Sequence, residues 1–242
     1  MLSNLFKKRK AIDFGHFVTD VHSHLIPGID DGVKTLAESI DLIKYFERLG
    51  YKKLITTPHI MSDTYPNTPE IIQNGLKKVK EEVEKNGIDL EIEAAAEYYY
   101  DEHFLQLIQD KNILTFSGNH VLFEFSFASK PKGVKNLIFE LKSNGYIPVL
   151  AHFERYPYYH GDLNFVKSLR EQGVKIQLNL VSFSGRYGKS VTKQAKALVN
   201  AGLVDVVGSD CHRLEHLHLI NKEAKNPYFH KLAKMDLLNF EL

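Results

Sequence analysis

The sequence predicts an α/β protein built as a distorted, TIM-like β/α barrel of seven units, and three observations lead there. Short β-branched or apolar runs alternate with longer amphipathic segments from residue 18 to the end, the pattern of repeated βα units. No linker-like stretch interrupts the alternation. Histidines and acidic residues recur at the C-terminal ends of nearly every strand candidate, where α/β barrels place their active sites. Residues 1–17 read as a basic extension and 18–242 as one domain, which suits a chain of 242 residues.

The strand candidates, taken in order, are 18–24, 53–59, 90–98, 120–126, 147–152, 174–180 and 204–210, expected to be parallel and buried. A helix is expected over 36–49, where Leu36, Ile40, Ile43, Phe46 and Leu49 recur at helical spacing and Gly50 ends the run. Another spans 69–85, opening with Pro69 in the first turn and continuing through Ile72, Leu76, Val79 and Val83. Further helices are expected over 102–109, 134–143, 163–172, 190–200 and 217–225, each after a strand. This regular succession favours closure into a barrel over an open doubly wound sheet.

With 43% hydrophobic and 25% charged residues the chain can bury a substantial core, so disorder is not expected. A formal net charge of +1 provides no broad basic face for displacing counterions from a nucleic acid, which leaves a small molecule or a polypeptide as the expected substrate. The single cysteine, Cys211, rules out an intramolecular disulfide and an all-cysteine zinc site, and it fits a reducing, cytoplasmic setting. Residues 1–10 carry a basic cluster, Lys7 to Lys10, without the apolar run of a secretion signal or membrane span. They read as a solvated tail, with weak attraction to anionic lipid as the alternative.

The chemistry-bearing residues sit at the strand ends. Alternation along the first strand points Asp20, His22 and His24 to one face, so that two imidazoles can meet one ion. His59 ends the second strand, Glu97 the third, Glu124 the fourth and His152 the fifth; Asp210 and His212 end the seventh, and Asp31 lies just beyond the first. Taken singly, each has an ordinary reading as a paired or solvated polar residue. Together they bring five histidines and four carboxylates to one mouth, where so many carboxylates could not all stay ionised without cations. Mixed imidazole and carboxylate ligation suits Mn, Fe or Zn, with manganese or iron preferred, and the absence of thiolates argues against a structural zinc site.

The motifs Asp20-Val21-His22-Ser23-His24, Thr57-Pro58-His59, Ala96-Glu97, Ala151-His152-Phe153-Glu154-Arg155 and Ser209-Asp210-Cys211-His212 resemble the ordered motifs of the polymerase-and-histidinol-phosphatase (PHP) family, over about residues 18 to 213. The run from His22 to Gly32, with Ala151 to Tyr156, resembles the capsule-type tyrosine-protein phosphatase branch of that family. The resemblance implies a (β/α)7 PHP barrel with three divalent ions. It assigns His22, His24, Glu97 and Asp210 to the first, Glu97, Glu124 and His152 to the second, and Asp31, His59 and His212 to the third. It implies hydrolysis of phosphotyrosine in a protein, by resemblance the tyrosine-rich tail of a bacterial tyrosine autokinase that controls capsule or exopolysaccharide assembly. Bound ions would acidify a water from a pKa of about 15.7 toward roughly 7 for in-line attack on phosphorus.

Arg155, three residues after His152, is the first choice for stabilising the phosphate charge; Arg186 and Arg213 are further substrate-binding candidates. The capsule-type branch commonly carries another phosphate-binding arginine after the last metal histidine, where this chain reads Arg213-Leu214-Glu215-His216-Leu217. Cys211 is not expected to be a nucleophile, since C-x5-R would need arginine where Leu217 stands, and it should pack against the helical layer. The tyrosines at 98–100 and 156–159 fit pocket lining or core packing equally, whereas His160, His216 and His218 read as surface residues. Alternative functions are a PHP phosphatase on a small molecule such as histidinol phosphate, a phosphodiesterase on nucleic-acid ends, and a non-catalytic, metal-stabilised binding barrel.

Overall fold

A computed structural model describes residues 10–242; the expectation of a solvated basic tail over 1–10 falls almost wholly outside that range. Nine parallel strand segments form two sheets, β1(Thr19–Asp20), β2(Lys53–Thr56) and β4(Glu91–Ala94) in one, and β3(His59–Ile60), β5(Glu97–Tyr99), β6(His120–Glu124), β7(Ile147–Leu150), β8(Lys175–Asn179) and β9(Val206–Gly208) in the other. The fold is mixed α/β with a curled parallel sheet. The order around each sheet follows the chain, with pairs such as Leu54↔Ile92, Leu122↔Val149 and Gln177↔Val206 fixing the register.

The seven expected strands are all present, but two are split. The stretch 53–59 breaks at Thr57-Pro58, where proline has no N–H for the ladder, and 90–98 breaks at Ala95-Ala96. Backbone bonds carry across both breaks, Ala95 N–H to Thr56 O at 2.9 Å and Glu97 N–H to Pro58 O at 3.1 Å. The first strand is shorter than expected, because Val18 has a positive φ of 63° and regular pairing ends at Asp20. Beyond it the chain still bonds to the far edge of the second sheet: Asp210 N–H to His22 O at 2.8 Å and His24 N–H to Cys211 O at 2.9 Å.

Helices α1(Leu36–Leu49), α2(Pro69–Lys85), α3(Glu102–Gln109) and α4(Val134–Ser143) have the expected bounds. The side chains of Thr35, Thr68 and Asp101 cap the first three by accepting backbone N–H bonds, and Gly50 closes α1 at φ 98°. Helices α5(Asn164–Glu171), α6(Lys189–Asn200) and α7(Leu214–Lys222) shift by one to three residues, and α8(Pro227–Leu232) was not anticipated. It is one and a half turns long, too short for periodicity to register. Among the described residues no helix is long and apolar enough to cross a membrane.

The larger core lies between sheet and helices. Phe14 and Phe17, on the expected extension, belong to it at 2% and 0% exposure, so the packed body begins before residue 18. A separate cluster takes one residue from most strand segments or their ends: Val21, Ile55, Ala95, Leu122, Val149, Ala151 and Val206, with Phe116 beside them. Buried apolar rows on both faces of the same strands leave polar work mainly to the strand ends, with Gln177 inside β8 as an exception.

Candidate metal centre

All nine sequence-predicted ligand candidates converge at the C-terminal ends of the strands. Two of them sit in strained backbone: His152 has φ 33° and Asp210 φ 52°, left-handed conformations that side chains seldom adopt. Each is held there by its surroundings. His152 N–H donates to Gln177 Oε1 at 2.7 Å, and Asp210 N–H donates to His22 O. Strain of this kind, typically about 1–3 kcal/mol per residue, concentrates where function fixes a side chain.

The imidazole orientations are settled by what lies behind each ring. Gln177 Oε1 accepts the His152 amide, so the His22 Nδ1 that meets the same oxygen at 3.2 Å must be the donor. His24 Nδ1 donates to the Asp30 carboxylate at 2.7 Å, and His212 Nδ1 to the Asp210 carbonyl at 3.0 Å. With Nδ1 committed to these acceptors, all three rings turn Nε2 toward the centre, the orientation that backing partners impose on metal-binding histidines.

At the centre, imidazole nitrogens crowd against carboxylate oxygens. His22 Nε2 and His24 Nε2 are 3.4 Å apart, Glu97 Oε2 lies 3.1 and 3.5 Å from them, and Asp210 Oδ1 3.5 and 3.6 Å. Glu97 Oε1 is 2.8 Å from His152 Nε2, and Glu124 Oε2 is 3.5 Å from that nitrogen. His59 Nδ1 lies 3.3 Å from Glu97 and 3.4 Å from Glu124, and it has no hydrogen-bond partner despite being buried. His212 Nε2 and His59 Nε2 flank Asp31 Oδ1 at 3.2 and 3.5 Å.

Three groups thus have the geometry to hold an ion: His22, His24 and Asp210; His59, Glu97 and Glu124; and His24, Asp31, His59 and His212. They overlap the expected sets, with His59 and His24 each reaching into a second group. The donor set fits divalent cations, since imidazole nitrogens and carboxylate oxygens from several strands converge within reach of shared points. The electrostatics agree. Burial disfavours a charged His22, yet Glu97 and Asp210 outweigh it and raise its pKa to about 10, so the surroundings call for positive charge at that point. Burial pushes Glu97 and Asp210 up as well, but the imidazoles, and for Asp210 also Arg155, hold both well below the usual carboxylate range.

The mouth is a cleft of about 410 Å³ that Arg155, Arg186 and Arg213 all line. Arg155 Nη1 donates to Asp210 Oδ2 at 2.9 Å, and its guanidinium is sandwiched between Phe127 and Tyr187, 4.5 and 4.3 Å from their ring centres. Arg186 is paired with Glu215 at 2.8 Å on the rim, and Arg213 is exposed. Tyr99 faces the cleft, whereas Tyr98, Tyr156 and Tyr159 are core residues, which divides the two tyrosine runs.

His216 is a correction: expected at the surface, it is 4% exposed, lines the cleft, and meets the Asp210 carbonyl and the His212 amide through Nδ1. His218 is exposed, and His160 is partly buried with Nε2 on the Glu154 carbonyl. Cys211 is fully buried in the core that joins sheet and helices. Burial and nearby Asp20 push its thiol well above its ordinary pKa, the opposite of an activated nucleophile.

Sequence reasoning missed the residues behind the ligands. Asp30 orients His24, Gln177 joins His22 to His152, and Asn179 Nδ2 donates to Asp210 Oδ2 at 2.6 Å. The Asp30-Asp31 pair was visible, but which carboxylate turns inward depends on the loop; Gln177 and Asn179 alternate with the apolar Ile176, Leu178 and Leu180 along one strand, which was the available signal.

Residues 18–232 match the model of the family described as capsular polysaccharide synthesis, CpsB/CapC. Tyrosine-protein phosphatase YwqE of Bacillus subtilis is 29% identical over 206 residues, covering 85% of this chain and 81% of the relative. Tyrosine-protein phosphatase CpsB of Streptococcus agalactiae is 31% identical over 203 residues, covering 81% and 83%. Among solved structures, one from a study of YwqE from Bacillus subtilis and CpsB from Streptococcus pneumoniae, described there as unique metal-dependent tyrosine phosphatases, superposes with a TM-score of 0.80 at 28% identity, covering 89% of this chain and 86% of that one.

Proposed function

The chain belongs to the capsular polysaccharide synthesis CpsB/CapC family, and from that premise we propose that it is a metal-dependent, non-cysteine protein-tyrosine phosphatase. The observation that carries this reading is the convergence of His22, His24 and His212 Nε2 with the carboxylates of Glu97, Asp210 and Asp31, each ring being locked from behind. We assign three divalent ions, manganese preferred, to His22, His24, Glu97 and Asp210; to Glu97, Glu124 and His152, with His59 alongside; and to Asp31, His59 and His212, with His24 alongside. Bound there, such ions supply charge neutralisation for phosphate oxygens and an acidified water at neutral pH.

The chain's own residues supply the rest. Glu97 offers one carboxylate oxygen to each of the first two groups, Oε2 toward His22 and Oε1 toward His152, so it sets their spacing. Arg155 is placed to stabilise charge on the transferred phosphate. Its stacking between Phe127 and Tyr187 fixes the guanidinium plane without using its donors, and only Nη1 is engaged by Asp210. Arg186 and Arg213 stand at the rim as further phosphate or peptide contacts. Tyr99 and Phe127 give the cleft apolar walls suited to an aryl ring.

The strands are read as a closed, distorted barrel of seven βα units within a single domain, supported by the His22–Asp210 and His24–Cys211 backbone bonds and by the separate cluster drawn from most strands. The substrate is a phosphotyrosine protein, for which we favour the tyrosine-rich tail of a bacterial tyrosine kinase in capsule or exopolysaccharide assembly, and the setting is the cytoplasm. The test is a panel assay on manganese-loaded protein. Phosphotyrosine peptides should be the best substrates; preference for histidinol phosphate or oligonucleotide ends, or no turnover at all, would transfer support to the small-molecule, phosphodiesterase or non-catalytic readings.

A further inference from the structure

Beside the mouth lies a second cleft of about 450 Å³ that shares Asp31, His212 and Arg213 with it as a common wall. Its floor is apolar. Val33 and Leu42 are 3% and 2% exposed, and Leu214, the first residue of α7, lines the same cleft at 37% exposure. Among the described residues only four large apolar side chains are that exposed, and two of them flank the site, Phe127 in the mouth and Leu214 in this neighbour. Two of the polar groups of the rim are engaged: Lys34 Nζ donates to the Asp30 carbonyl at 2.7 Å, and Glu38 Oε2 accepts the Lys34 amide at 2.6 Å.

We propose that this cleft is a specificity subsite that takes up an aliphatic side chain of the substrate polypeptide, one or two residues from the phosphotyrosine held in the mouth. The inference rests on the protein-phosphatase reading and narrows it to a sequence preference. A polypeptide with its phosphotyrosine in the mouth that runs out on this side crosses the wall formed by Asp31, His212 and Arg213. An extended chain advances about 3.4 Å per residue, so a side chain one or two positions away reaches a cleft that begins at that wall. The rim's charges are mixed, Lys34 and Arg213 against Asp31, Glu38 and Asp41, with Lys34 held on the Asp30 carbonyl, so an acidic occupant gains no net partner, whereas the exposed Leu214 above the buried Val33 and Leu42 favours an aliphatic one.

The experiment uses the metal-loaded protein and phosphotyrosine peptides carrying Leu, Gly or Glu at each of the four positions within two residues of the phosphotyrosine. At one position Leu should exceed Gly about tenfold in kcat/KM, equivalent to about 1.4 kcal/mol, mainly through KM, with Glu below Gly. Leu214→Ser should bring that Leu-to-Gly ratio toward one; Leu214 is exposed enough that folding is not at stake, and circular dichroism checks it. Ratios within twofold at all four positions, a preference for Glu, or a Leu preference that survives Leu214→Ser unaltered would overturn the subsite. Failure to hydrolyse any phosphotyrosine peptide while small phosphates are turned over would instead overturn the functional reading, and the subsite with it.

Discussion

Replacing Gln177 by leucine should leave the fold standing and strip the centre of metal affinity. Gln177 is fully buried; its Oε1 takes the His152 amide at 2.7 Å and His22 Nδ1 at 3.2 Å, and its Nε2 donates to Asn179 Oδ1 at 2.8 Å. Leucine is close in volume, so the loss is one of hydrogen bonds. Two buried donors lose their acceptor, each worth about 1–3 kcal/mol when left unsatisfied, and the metal-free protein should be destabilised by about 2 to 4 kcal/mol, the longer His22 contact counting least. Without its acceptor, His22 can flip or change tautomer, and the left-handed His152 loses the bond that holds its amide. Loss of a partner behind a ligand typically weakens metal binding about 10- to 100-fold, here through two ligands at once, so the upper part of that range is expected. Competition of the variant with a fluorescent chelator for Mn²⁺ reads the affinity, and thermal melts read the stability. A folded Gln177→Leu protein that binds Mn²⁺ within about twofold of the wild type would refute the claim that the outer residues fix the ligand lone pairs.

Other perturbations separate the remaining roles. Arg155→Ala should lower turnover of aryl phosphates about 10²- to 10³-fold, or roughly 3 to 4 kcal/mol, with metal content intact because Asn179 still holds Asp210 Oδ2; unchanged steady-state constants would move the role to Arg186 or Arg213. Asp210→Asn and His22→Ala should instead lose metal and activity together by elemental analysis and assay. Cys211→Ser should keep most activity, and alkylation of the native protein should be slow, since the thiol is buried with its pKa raised; a phosphocysteine adduct would exclude the metal mechanism. Asp30 bears on pH: burial pushes its pKa up, but His24 and the Gly32 amide lower it from 3.8 to about 2. It therefore contributes stability above about pH 4 that is lost as pH falls toward 2, and Asp30→Asn should flatten the melting temperature of metal-free protein across that window.

Much of this was legible because strand ends are where sequence pattern and chemistry coincide. A hydrophobic run that finishes in His, Glu or Asp identifies both a strand and the residue it delivers, and the structure brings the eight candidates read at strand ends, with Asp31 from the loop after the first, to one mouth. The helices α1 to α4 carry clear periodicity and, for three of them, side-chain caps, and their bounds match the expectation. What escaped depends on backbone detail. The breaks at Thr57-Pro58 and Ala95-Ala96 interrupt runs whose burial pattern is continuous, and the left-handed turns at His152 and Asp210 have no sequence signature of their own. Sharing of His24 and His59 between groups follows from ring positions, with centroids 4.6 Å apart, and no linear motif encodes that. His216 was misplaced because helical alternation near a chain turn gives no hint that the ring folds under the preceding loop onto the Asp210 carbonyl.

The central claim is that this centre hydrolyses phosphotyrosine in proteins through bound divalent ions. It is tested most directly by phosphate release from a phosphotyrosine peptide, measured on one preparation before chelation, after removal of metal and chelator, and after stepwise return of Mn²⁺, with bound manganese counted at each step. The account predicts that activity disappears with the metal and returns with it, and that full activity coincides with more than one ion per chain, about three at saturation, as so many converging ligands require. Undiminished hydrolysis by the metal-free protein, or full activity with a single ion bound, would contradict it.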